Sequence, residues 1–222
     1  MSGIAVLAID GPSASGKGSV AQGVAEALGF AYLDSGALYR LSALAAKQAG
    51  VAWRDELGVA RIAASLDVRF EAGLILLSGQ DVSAQIRSEE IGVGASQIAA
   101  FAAVRQALLA RQRAFALAPG LVADGRDMGS VVFPQAELKI FLTASAKVRA
   151  ERRYTQLLGR GELADLAAIT QDLESRDARD AARAEAPLRQ WPDALLLETS
   201  NLSLDQVVDQ VLSWWKTRPK EE

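Results

Sequence analysis

Short apolar runs alternate with amphipathic stretches along the 222-residue chain. Ile4 to Ile9 is continuously apolar and stops at Asp10-Gly11, the pattern of a parallel strand buried on both faces. Val20, Val24 and Leu28 then recur at helical spacing, with Gly29 as the stop. Ala31-Tyr32-Leu33 predicts a second strand. The next helix has Ser35 as its cap and Leu38, Leu41 and Ala45 on its inner face, with Gly50 beyond its end.

Residues 66–87 break this alternation. Val68, Phe70, Leu74, Ile75, Leu76, Leu77 and Val82 are interrupted by Ala72-Gly73 and Ser78-Gly79, which predicts a small antiparallel meander. Periodicity resumes with a long helix from Ala102 to Leu117, ended by Pro119-Gly120. Leu121-Val122-Ala123, Lys139 to Thr143 and Leu195 to Glu198 predict three more core strands. Val148 to Ala186 reads as helical and charge-rich, and Leu204 to Trp215 as a closing amphipathic helix with Val207, Val208, Val211 and Leu212 on its apolar face. Five strands alternating with helices imply an α/β fold with a five-stranded parallel sheet, in one domain spanning residues 1–222.

Composition narrows the chemistry. There is no cysteine and no histidine, which removes thiolate nucleophiles, the commonest general base and the commonest metal ligand. A net charge of −3 provides no global basic field, so a nucleic-acid partner is not expected. No apolar run approaches the roughly 18 residues of a membrane span, and no secretory pattern opens the chain. A cytoplasmic protein working through Lys, Arg, Asp, hydroxyls and backbone is expected. Phosphoryl transfer suits that inventory, because it depends mostly on positioning and charge stabilisation.

The strongest motif follows the first strand: Gly11-Pro12-Ser13-Ala14-Ser15-Gly16-Lys17-Gly18-Ser19. Glycines let backbone N–H groups point inward around phosphates, the following helix adds partial positive charge, and Lys17 neutralises the β and γ phosphates of ATP. Such loops usually place Ser or Thr directly after the lysine, where its hydroxyl holds magnesium. Gly18 stands there instead, so Mg²⁺ is expected to be held through ATP phosphates and water, with no firm protein ligand.

Two further segments follow strand ends, where open α/β sheets bind ligands. Asp34-Ser35-Gly36-Ala37-Leu38-Tyr39-Arg40 offers Ser35 and Arg40 for a second phosphate, although a cap and a surface arginine would read the same way. Ala123-Asp124-Gly125-Arg126-Asp127-Met128-Gly129 offers one cation and one carboxylate. Taken with Val131-Val132-Phe133-Pro134 and Arg176-Asp177-x-x-Asp180-x-x-Arg183, these segments resemble the bacterial cytidylate kinase family essentially end to end.

The resemblance implies a P-loop kinase that transfers the γ-phosphate of ATP to CMP or dCMP, in pyrimidine nucleotide metabolism. It implies an insert near residues 62–95 in the monophosphate-binding region. It also implies that Ser96, Arg105 and Asp127 read the cytosine edge and that Arg40 and Arg126 hold the acceptor phosphate beside Ser35. Arg176, Asp180 and Arg183 approach the sugar and the transferring phosphate, which makes Lys17, Arg126, Arg176 and Arg183 the catalytic cations. A carboxylate complements the exocyclic amine of cytosine and opposes the carbonyl of uracil. Ala14 departs from the glycine common in the family, and Ala178, Ala181 and Ala182 replace residues often charged.

The segment near 149–189 is rich in arginine and lacks lysine, and it lies where P-loop kinases place a helical lid. Arg176, Arg179, Asp180 and Arg183 recur at one-face spacing, with Arg179 off the centre of that face. A P-loop kinase for another monophosphate or a small metabolite is the alternative. A guanine-nucleotide switch would carry Asn-Lys-x-Asp near the fourth strand, and the chain has no such string. The only partners expected are ATP and CMP or dCMP, with the chain acting as a monomer.

Overall fold

A computed structural model gives the fold and describes residues 4–71, 74–183 and 186–219. The chain begins β1 (Ala5–Asp10), α1 (Lys17–Leu28), β2 (Ala31–Asp34), α2 (Ser35–Gln48) and α3 (Glu56–Ala64). There follow β3 (Val68–Glu71), β4 (Leu74–Leu77), β5 (Gln80–Asp81), α4 (Glu89–Ile98) and α5 (Ala102–Arg113). The remainder is β6 (Gly120–Gly125), a π-helical turn Met128–Val132, β7 (Leu138–Thr143), α6 (Ala146–Leu158), α7 (Leu166–Ala181), β8 (Leu195–Glu198) and α8 (Leu204–Thr217). These elements form two units, one of residues up to Leu33 and from Phe115 onward, the other of Asp34–Ala114.

The first unit is built on a five-stranded sheet of order β2-β6-β1-β7-β8. β1 pairs in parallel with β6 and β7, and β8 with β7. Val6 to Asp10 and all of β6 are buried, which explains why these strands read as runs rather than alternations. Leu7, Ile9, Val20, Val24, Ile140, Leu142, Val211 and Trp215 form the core. Phe30 meets Trp215 edge-on at 5.6 Å between ring centroids. α1 and α8 pack against each other, and Val208 and Leu212 flank the buried Val207 and Val211 as the periodicity predicts.

In the second unit α3 packs on α5, and α2 on α3 and α4. The expected meander is present as an antiparallel sheet β3-β4-β5. Val68 faces Leu77, and Phe70 faces Ile75. Leu77 pairs with Gln80 across Ser78-Gly79, whose φ of 49° and 78° make the left-handed two-residue turn of a tight hairpin. The other expected turn, Ala72-Gly73, lies outside the described residues.

Four expectations need correction. Asp34, not Ser35, caps α2: its Oδ1 accepts from Ala37 N at 3.0 Å, and Ser35 is the first helical residue, buried. α5 ends at Arg113 rather than Leu117, and the chain beyond it turns toward β6. The helix expected over Val148 to Ala186 is two, because Gly161 adopts φ 73° and Asp165 caps a new helix through the amides of Ala167 and Ala168. α7 ends at Ala181 with Ala182 as its C-cap, so Arg183 lies beyond the helix rather than on its face. α3 and α4 have no counterpart in the pattern. α4 carries Gly94 where a Cβ would collide with the Trp53 ring, and Trp53 Nε1 donates to Ala43 O at 2.9 Å.

Candidate active site

The phosphate loop leaves the central strand. A Cβ at Gly11 would collide with the carbonyl of Leu142 on β7, so only glycine lets β1 turn there. Gly16 takes φ 91° as the N-cap of α1 and provides no side-chain cap, which leaves the helix's first amides to an anion. Lys17 is the first residue of that helix, with Nζ 3.5 Å from Pro12 O. The outside of the loop is braced by arginines of α6. Arg149 donates to Ser13 O at 3.1 Å and Arg152 to Ser15 O at 2.9 Å, which ties the loop's backbone to α6.

Ala14 adopts φ 58°, a left-handed conformation that strains any side chain with a Cβ. Ala14→Gly should therefore stabilise the protein by about 0.5–1 kcal/mol, net of the entropy glycine loses on folding. A higher urea midpoint at unchanged slope is the expected reading.

Beside the loop lies a cavity of about 500 Å³, lined by Ala14 to Val20 together with Arg152, Arg153, Gln156, Thr199, Leu202, Leu204 and Val207. Its volume suits a nucleoside beyond the phosphates. The local pattern singles out none of Arg152, Gln156, Thr199 or Leu202; the one available signal is that Thr199 follows the carboxyl end of β8. Arg152 also donates to Thr199 O at 2.7 Å, joining the far wall of this cavity to the loop.

Asp124, the penultimate residue of β6, lies next to the loop. Its Oδ2 accepts from the Tyr32 hydroxyl at 2.7 Å and would lie 3.3 Å from a Cβ at Gly18. The carboxylate thus faces the position where related loops carry a Ser or Thr, and Gly18 leaves room in front of it. Among the described residues no group of three or more acidic side chains could hold a metal ion by itself.

The segment after β6 is the most densely connected. Asp127 is buried, and Arg126 is half-buried. Arg126 donates through Nε to Asp180 Oδ2 at 2.8 Å and through Nη2 to Ser13 Oγ at 2.8 Å. Arg183 donates to the other oxygen of Asp180. One buried carboxylate thus gathers two guanidinium groups and connects them to the phosphate loop. Arg176 pairs with Asp172 at 2.8 Å, and Arg149 with Asp177 at 2.6 Å. Arg179 is exposed, as its off-centre position predicts.

Asp10, the last residue of β1, accepts from Met128 N at 2.8 Å and Gly129 N at 2.9 Å. Burial pushes its carboxyl up to about 7, opposed by those two amides; Asp127 adds to the rise and Arg126 opposes it.

The remaining predicted residues belong to the second unit. Ser35 is buried at the start of α2. Arg40 donates to the carbonyls of Ile86 at 2.8 Å and Ser88 at 3.3 Å, which ties α2 to the turn before α4. Ser96 on α4 has a buried Oγ with no hydrogen-bond partner among the described residues. Arg105 lies half-buried on α5.

A parallel sheet with a phosphate loop on its central strand, and arginines converging on that loop, defines a P-loop kinase fold. Residues 7–217 match the family model described as cytidylate kinase, and the chain belongs to that family. It is 62% identical over 215 residues to a cytidylate kinase of Chromobacterium violaceum, covering 97% of each chain. It is 57% identical over 211 residues to one of Neisseria meningitidis, covering 95% of this chain and 97% of the relative. A Ralstonia pickettii relative of the same name is 56% identical over 211 residues, at 95% and 91% coverage. Among the described residues no single helix is long and apolar enough to cross a membrane.

Proposed function

We propose that this chain is an enzyme that transfers the γ-phosphoryl group of ATP to CMP or dCMP, giving ADP and CDP or dCDP. The observation that carries the proposal is Arg126, hydrogen-bonded at once to Ser13 of the phosphate loop and to Asp180 beside Arg183. Cations gathered this way suit a phosphoryl group in transit, whose charge spreads over its equatorial oxygens. The relatives' name and the extent of the match support the same acceptor.

The donor triphosphate binds the amides from Gly11 to Ser19 and Lys17, with its nucleoside in the adjoining cavity. Arg40 and Arg126 hold the acceptor phosphate beside Ser35. An oxygen of that phosphate attacks the γ-phosphorus as the bond to the β–γ bridging oxygen breaks. A phosphate monoester is largely dianionic above its second pKa of about 6, so the nucleophile arrives ionised and needs no general base. This accounts for a site that works without histidine. Arg176 and Arg183, in a lid near 149–189, neutralise charge on the transferring group while Asp180 orients them and meets the sugar. Mg²⁺ would be held through the ATP phosphates and water, with Asp124 as the protein's carboxylate facing it, and would neutralise phosphate charge. These substrates carry with them a cytoplasmic setting and a place in pyrimidine nucleotide metabolism.

Ser96, Arg105 and Asp127 read the base. The buried hydroxyl of Ser96, with no partner among the described residues, supports this, because a buried polar group is costly unless a ligand pairs it. Asp127 accepts from the cytosine amine and opposes the carbonyl of uracil. Asp127→Asn should narrow the preference for CMP over UMP by about tenfold, the size of one buried polar mismatch. The measurement is kcat/KM for both substrates in wild type and variant, and an unchanged ratio would remove Asp127 from base recognition.

A further inference from the structure

We propose that Asp10 is a positioning residue for acceptor selection: it caps the Met128–Val132 turn from a distant strand, so that the Asp127 carboxylate is not drawn into capping that turn. The proposal rests on the assignment of Asp127 to the cytosine base.

Asp127 occupies the N-cap position of the turn, and aspartate is among the residues most favoured there because its side chain accepts from the first amides. It makes no such capping bond. The amides of Met128 and Gly129 donate instead to Asp10, one to each carboxylate oxygen. The backbone of Asp127 serves the turn, its carbonyl accepting from Val131 N at 2.9 Å and Val132 N at 3.2 Å. The main chain of Asp127 is thus locked by the turn while its carboxylate makes no capping bond to it.

Asp10 is well placed to act as a fixed point. It ends the central strand, in register with Gly125 on β6 and Phe141 on β7, and Gly11 after it is wedged against Leu142. It is buried, so its side chain has no room to shift. Here the two adjacent amides meet one oxygen each, an arrangement that a carboxylate provides and that an asparagine side chain, with one acceptor oxygen and an NH2 donor, does not reproduce. Burial raises its pKa to about 7, and a carboxylate so costly to bury is a poor choice for packing alone.

Asp10→Asn keeps the shape of the side chain and turns one acceptor into a donor, leaving one turn amide to compete for Asp127. It should raise KM for CMP and narrow the CMP-over-UMP ratio by about tenfold, with KM for ATP changed less than about twofold. Combined with Asp127→Asn it should narrow the ratio no further than either change alone, because both act on one contact. A variant that loses thermal stability and turns over both monophosphates proportionally more slowly, at an unchanged ratio, has lost only a structural residue, and the proposal is overturned. Asp127→Asn run in parallel separates the two claims. If it narrows the ratio and Asp10→Asn does not, the proposal alone fails; if it leaves the ratio intact, the base assignment fails and takes the proposal with it. Should Asp10→Asn not fold, hydrogen exchange on the wild-type protein decides. Strong protection of the Met128 and Gly129 amides is expected, and exchange at the rate of an open loop contradicts the capping role.

Discussion

Lys17→Ala should lower turnover by about 10³–10⁵-fold and leave the fold intact, the range set by loss of a single phosphate-stabilising cation. Lys17 opens α1 on its half-buried side, and its ammonium reaches back toward Pro12 O inside the phosphate loop. The hydrophobic core of the unit is formed by Val20, Ala21, Val24 and their neighbours and does not use Lys17. The loop is held by Gly11 against β7 and by Arg149 and Arg152 from α6, so its backbone should keep its shape without the lysine. Circular dichroism and the melting temperature should match wild type. Near-normal turnover in such a folded variant would contradict the phosphate-loop assignment.

Arg183→Ala should lower kcat by about 10²–10³-fold with little change in KM for ATP, as expected for a charge that acts mainly on the transition state. Arg183 donates to Asp180, whose other oxygen is held by Arg126. Removing Arg183 leaves Asp180 paired with Arg126, so the carboxylate is not stranded and the stability cost should stay modest. The proposed lid role for this segment also implies that the variant loses more phosphoryl transfer to CMP than ATP hydrolysis, because closure excludes water. Arg179→Ala is the internal control: it is exposed and should leave kcat within about twofold. If Arg183→Ala lowers the melting temperature but not kcat, this end of the segment is a structural surface.

What was legible depended on whether the cause was local. β1 and β6 could be read because strands buried on both faces are written as contiguous apolar runs; β7 and β8 are apolar runs too, although β7 is only alternately buried and the edge strand β8 leaves Leu195 and Leu196 exposed. The phosphate loop could be read because nine consecutive residues make it. α3 and α4 could not. α3 is only nine residues long, and α4 is interrupted by Gly92 and by Gly94, which is explained by Trp53 some forty residues earlier. The break between α6 and α7 depends on the left-handed Gly161, which the charge pattern around it conceals. The site divides in the same way. Arg126, Asp180 and Ser13 each stood out within their own segments, yet the hydrogen bonds that join them span 54 and 113 residues. Asp10 looked like the end of a strand, and its two bonds to the turn after β6 reach 118 and 119 residues along the chain. The arginines of α6 read as a charged helix face. Their contacts with Ser13 O, Ser15 O and Thr199 show that Arg149 and Arg152 brace the donor loop from behind.

The most direct measurement is initial-rate ADP release by the purified protein with ATP and Mg²⁺ against a panel of CMP, dCMP, UMP, AMP and GMP. The account predicts efficient turnover of CMP and dCMP, with UMP lower by about tenfold or more and the purine monophosphates lower still, since Asp127 opposes a carbonyl where cytosine carries its amine. Equal rates for CMP and UMP would contradict the base-reading assignment, and preference for a purine monophosphate, or no acceptor-dependent ADP release at all, would contradict the proposed function itself.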